Sequence, residues 1–151
     1  LVISCSDSRI VPEEIFSARP GEFFVLRNVG NVCRTDDPSV SAALEYAVNH
    51  VRIRHIIVLA HSDCGAVKAV LHKEHLDTQG LVDWLCEECF EGPDLNCAIM
   101  ASGIRQLDRL KAHPAVKAAL EEGRLDTELL FFDLGTLGLA RYNGKDWDKV
   151  C

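Results

Sequence analysis

The stretch HIIVLAHSDCG, residues 55–65, decides the fold. Ile56-Ile57-Val58-Leu59-Ala60 is the longest apolar run in the chain. It is strand-sized, far short of the ~20 residues of a membrane span. His61 follows it directly, and Gly65 opens a helical pattern through Val67 and Val70 to Leu71. Leu1 to Cys5, Phe23 to Arg27 and Glu128 to Asp133 are the other segments with the enrichment of buried strands. The first three strands in chain order are almost continuously apolar, which suits a sheet covered on both faces.

Helical signals fall between these strands. Asp37-Pro38 reads as an N-cap with proline at the first helical position, and Val40, Ala43, Leu44, Ala47 and Val51 recur at helical spacing. Ile104, Leu107 and Leu110 mark another helix, and Pro114 to Leu120, stopped by Gly123, one more. Leu81, Leu85 and Cys89 allow a helix that Gly92-Pro93 ends. The alternation predicts one α/β domain over residues 1–151. Its sheet is expected to be mainly parallel, of about four strands in the flavodoxin-like order 2-1-3-4, with helices on its flanks.

At 151 residues the chain has room for one domain with a core of its own. It is 48% hydrophobic and 26% charged, which excludes a disordered chain, a collagen-like repeat and a coiled coil. Sixteen Lys+Arg against 23 Asp+Glu leave a net charge of -7, which argues against nucleic acid or an anionic membrane as partner. Seven cysteines without a framework spacing read as reduced thiols, either buried as small hydrophobes or binding metal. Leu1 is not a start methionine, so the natural chain is expected to begin upstream. The expected compartment is the cytoplasm, or an organelle or microcompartment if an upstream segment directs it there.

In an open parallel sheet, ligands bind beyond the carboxyl ends of the strands where the strand order reverses. Cys5 closes the first strand, His61 follows the third, and Cys64 lies in the turn after it. If strands one and three are neighbours, the three side chains converge, and two thiolates with one imidazole make a good first shell for zinc. A buried cysteine beside a packed histidine is the competing reading of the same spacing. The loop Cys5-Ser6-Asp7-Ser8-Arg9 tips the balance. A carboxylate paired with a guanidinium is held ionised and fixed in direction, able to orient a nucleophile.

These residues resemble the β-class carbonic anhydrases. The family's C-x-D-x-R loop is matched by Cys5, Asp7 and Arg9, and its H-x-x-C-G by His61, Cys64 and Gly65. Pro20-Gly21-Glu22, Arg27 to Asn31 and Ala42 to Ala47 also resemble it; beyond Leu71 the similarity is only general. The resemblance implies one zinc per chain on Cys5, His61 and Cys64, with Asp7 and Arg9 as the catalytic dyad. It implies Phe24, Val29 and Tyr46 along a carbon dioxide pocket partly supplied by a second subunit, and a backbone N–H of Gly65 facing the substrate oxygen. The implied reaction is reversible hydration of carbon dioxide to bicarbonate and a proton, by attack of zinc-bound hydroxide. The implied assembly is a homodimer or a higher even oligomer.

The family's N-terminal helical arm, which embraces the second subunit, is expected to be absent from this chain. A regulatory bicarbonate pocket of some members is not expected, because Val2 stands where its tryptophan would be, although Arg27 and Tyr46 match its other positions. A hydrolase of carbonyl sulfide or carbon disulfide on the same fold is the alternative enzyme. A zinc-stabilised module without catalysis is the alternative from another class, and Asp7 released from Arg9 would close such a site as fourth ligand. Cys86, Cys89 and Cys97 resemble half a zinc ribbon, to which His72 and His75 would have to add. Ordinary thiols are the expectation there, as for Cys33 and Cys151.

Overall fold

The computed structural model describes residues 1–72, 78–85, 88 and 92–150. Its sheet is built from β1 (Val2–Cys5), β2 (Val25–Asn28), β3 (His55–His61), β4 (Asp126–Phe132), β5 (Leu139–Tyr142) and β6 (Trp147–Lys149). The order is β2-β1-β3-β4-β5-β6. The first four strands are parallel and in the expected order 2-1-3-4. The last two are antiparallel additions that the sequence pattern did not mark. Both are short and half-exposed, so neither carries a buried apolar run.

The helices are α1 (Pro12–Ile15), α2 (Pro38–Glu45), α3 (Gly65–Leu71), α4 (Gln79–Leu85), α5 (Leu95–Ala112) and α6 (Pro114–Glu121). Asp37 caps α2 as expected, its Oδ1 accepting from Ser39 N at 3.0 Å and Val40 N at 2.9 Å. From Tyr46 to Val51 the helix widens into a π-helix, ended by Arg52 in the left-handed region. The wider i→i+5 turns shift the inward face. Ala47 and Val48 are buried, and Val51, expected on the apolar stripe, is exposed.

Side chains alternate across each strand, so each of the two faces has its own core. Ile3, Val58 and Leu129 pack with Val40 and Leu44 of α2, Leu107 and Leu110 of α5 and Val116 of α6. On the opposite face Val2, Leu59, Leu130 and Phe132 pack with Ile10, and Ile15, Phe16 and Phe23 close over them. Gly103 lets α5 approach the sheet, since a Cβ there would meet Leu129 Cδ1 at 2.9 Å. Gln106 of α5 is fully buried; it accepts from Cys33 N at 2.8 Å and donates to Glu88 at 3.0 Å, and Arg109 pairs with Glu88 as well. The buried carboxylate is thus neutralised, and the loop after β2 is tied to α5.

Candidate active site

β1 lies between β2 and β3, so the chain reverses its direction of sheet growth at the carboxyl ends of β1 and β3. Cys5 ends β1, His61 ends β3, and Cys64 is the N-cap of α3. Their sulfurs and a ring nitrogen all lie within 4.8 Å of one another, and all three residues are buried. The expected convergence is there.

The donor set fits a metal. The Nδ1 of His61 is 2.9 Å from the carbonyl of Ser62; a carbonyl only accepts, so Nδ1 carries the proton. Nε2 is then a bare lone pair, buried with no hydrogen-bond partner among the described residues, which is costly unless a cation takes it. The Cys64 thiol holds Cys5 well below the usual thiol range against the pull of burial, while its bond to Cys5, then burial, pushes Cys64 up. A cation bound by both sulfurs removes that conflict by making each a thiolate. Gly30 N donates to Cys5 Sγ at 3.4 Å.

Asp7 and Arg9 form a two-pronged pair beside this group. Arg9 Nε donates to Asp7 Oδ1 at 3.0 Å and Nη2 to Oδ2 at 2.7 Å, with Arg9 N on Oδ1 at 2.9 Å. The hydrogen bond from Arg9 holds the Asp7 carboxyl well below the usual carboxylate range.

Val29 and Gly65 adjoin the metal-capable group, one beside Gly30 and the other beside Cys64. Phe24 and Tyr46 do not. Their rings lie 6.1 Å apart, but Phe24 precedes β2 at the end remote from Asn28, the partner of Cys5 in the register. Four strand residues separate that end from the site by ~13 Å. Tyr46 stacks on His50 and is 54% exposed.

A model of the carbonic anhydrase family matches residues 1–139. The chain belongs to the β-carbonic anhydrase family. A carbonic anhydrase of Pseudomonas aeruginosa is 38% identical over 150 residues, covering 89% of this chain and 68% of its own. The solved β-carbonic anhydrase CcaA superposes with a TM-score of 0.87 at 30% identity, over 98% of this chain and 82% of its own. A tetrameric β-carbonic anhydrase of Sordaria macrospora gives 0.82 at 27% identity, over 94% and 79%. The chain is accordingly a lyase of the carbonic anhydrase type.

Three sets of contacts at this candidate site escaped the sequence reading. Asp63, in the left-handed region between two candidate ligands, accepts from Arg9 Nη1 at 2.9 Å through its carboxylate and from Nη2 at 3.1 Å through its carbonyl. The signal was available, since five guanidinium N–H groups need more acceptors than one carboxylate offers. Arg27 donates to Cys5 O at 3.0 Å and Asp7 O at 2.7 Å, so it braces the first loop. Trp84 of α4 donates its indole N–H to Val29 O at 2.8 Å, a contact between segments 55 residues apart that no local pattern announces. Cys97, in the first turn of α5, is exposed and donates to Asp94, while Cys86, Cys89, His75 and Cys151 lie outside the described residues.

Proposed function

We propose that the chain hydrates carbon dioxide reversibly, CO2 and H2O giving bicarbonate and a proton, with one zinc ion per chain held by Cys5, His61 and Cys64. The observation that carries this reading is the bare, buried Nε2 of His61 on a ring that shares one pocket with two sulfurs. Zinc bound there supplies the Lewis acidity that makes water a nucleophile near neutral pH. Asp7 accepts a proton of the attacking water in a hydrogen bond. Its Oδ2 has Arg9 Nη2 as its N–H partner and keeps a lone pair for this, whereas Oδ1 already takes two donors from Arg9. The bond turns the water's other lone pair toward the carbon, and Arg9 keeps the carboxylate ionised and aimed. Val29 offers an apolar wall to a linear, apolar substrate, and the N–H of Gly65 a donor to the oxygen that gains charge. The product proton leaves to buffer.

Stopped-flow measurement of proton release tests this. Hydration is expected to disappear with a zinc chelator and to return with added zinc. Turnover of carbonyl sulfide or carbon disulfide without turnover of carbon dioxide would move the reading to the sulfur analogues. A zinc-replete protein inert toward all three gases would leave a non-catalytic module.

We also propose a dimer or a multiple of one. Phe24 and Tyr46 lie too far from the site of their own chain to line it, so a substrate role for them requires a second copy. Val29, Tyr46 and Val51 present apolar surface for such a contact, and the similar Sordaria macrospora protein is described as tetrameric. Sedimentation velocity at assay concentration is expected to show an even oligomer, and a fully active monomer would refute it. No helix among the described residues is long and apolar enough to cross a membrane.

A further inference from the structure

Trp84 and Cys5 hold opposite ends of one peptide group. The carbonyl of Val29 accepts from the Trp84 indole at 2.8 Å, and the N–H of Gly30, on the other side of the same peptide bond, donates to Cys5 Sγ at 3.4 Å. A trans peptide is planar, with its C=O and N–H pointing opposite ways, so fixing one direction fixes the other. Gly30 takes this turn at φ +82°, and a Cβ there would stand 3.1 Å from Ala66 Cβ, so the loop also fits closely against α3. The indole is itself held. Arg34 lies 5.8 Å from the ring centre and donates to the Asp83 carbonyl at 3.1 Å, and Leu85 next along α4 is buried.

We propose that Trp84 is a positioning residue of the metal centre, whose indole N–H sets the Gly30 N–H on the Cys5 sulfur and so tunes the charge that sulfur gives the metal. The inference rests on Cys5, His61 and Cys64 being the metal centre proposed above. A donor on the carbonyl oxygen polarises the peptide and strengthens the bond its N–H makes. A hydrogen bond to a ligating sulfur draws charge from it, and such outer partners govern how a ligand acts on its metal.

The test is Trp84→Phe, which keeps a ring and removes the donor, with Trp147→Phe as the matched change elsewhere. In zinc-loaded protein labelled with ¹⁵N-glycine, the Gly30 amide is expected to exchange with solvent about tenfold faster in Trp84→Phe. With cobalt in place of zinc, the thiolate-to-metal absorption of Trp84→Phe is expected to shift from that of the parent. Trp147→Phe is expected to change neither. Gly30 exchange that stays within about twofold of the parent overturns the relay. Faster exchange with an unmoved cobalt spectrum overturns the tuning. A chain that takes up no metal in any form would refute the metal centre instead, and the amide arm, read in metal-free protein, still judges the relay. If Trp84→Phe does not fold, the parent decides: a Trp84 indole N–H exchanging as fast as free indole overturns the proposal, and a protected one supports it.

Discussion

Replacing Asp7 by asparagine is expected to lower carbon dioxide hydration on the order of 10²-fold while zinc content stays that of the parent. The amide keeps the shape of the carboxylate and loses its charge, and with it the two-pronged acceptance from Arg9 Nε and Nη2. An amide also presents a donor where an acceptor is required, so the attacking water is no longer held in one orientation. Asp7 contributes no atom to the Cys5, His61 and Cys64 group, so metal retention and turnover should part company. Zinc-replete Asp7→Asn protein with parental hydration across the pH range would end the proposed mechanism.

The same variant carries a stability prediction. The bond from Arg9 holds the Asp7 carboxyl below its ordinary value in the folded chain. In acid the unfolded chain therefore binds this proton before the folded one does, and stability rises with pH in that window. The contribution is fully present above the ordinary carboxylate pKa, ~4, and is lost as pH falls through the folded value. Parent and Asp7→Asn should therefore differ most in urea midpoint near neutrality, and the gap should close as pH drops below ~4. Arg9 is half-exposed, so the gap is expected to be modest. A gap that widens in acid would contradict the pairing.

Cys64→Ala is expected to abolish hydration through loss of the metal. Zinc affinity should fall by at least about 10²-fold, beyond what loss of an outer-sphere partner costs. Elemental analysis after dialysis should find about one zinc per parent chain and almost none in the variant. Zinc binding should strengthen as pH rises in the parent, since the metal takes both sulfurs as thiolates and the bond to Cys5, then burial, pushes Cys64 up. Full zinc in Cys64→Ala would sink the ligand assignment. Two zincs in the parent would instead point to Cys86, Cys89 and Cys97.

The strand expectations from local pattern held for the four parallel strands. Ile56 to Ala60 is apolar because β3 is covered on both faces, and the same cause made Leu1 to Cys5 readable. β5 and β6 were not readable because an edge hairpin buries too little to force a pattern on its residues. Val51 was misplaced because helical spacing assumes i→i+4 bonding throughout, and the chain departs from it at Tyr46.

For the site, the sequence by itself determined which residue types stand at strand ends: a thiol, an imidazole and a second thiol, with Asp7 and Arg9 close behind the first. It determined the capped start of α2 and the alternation of strands with helices that calls for a mainly parallel sheet. Only the tertiary structure decided that these pieces meet. Cys5 continues the face of Ile3, while His61 continues the opposite face, that of Leu59. They share a pocket because β1 and β3 are neighbours in the sheet and both stop there. Only the tertiary structure, likewise, set Asp63 on Arg9, Arg27 under the first loop and Trp84 on the Val29 carbonyl. The physical reason is range. Strand and cap signals come from a residue's own neighbours, whereas these hydrogen bonds join groups 20 to 55 residues apart, whose meeting depends on how the whole sheet and its helices pack.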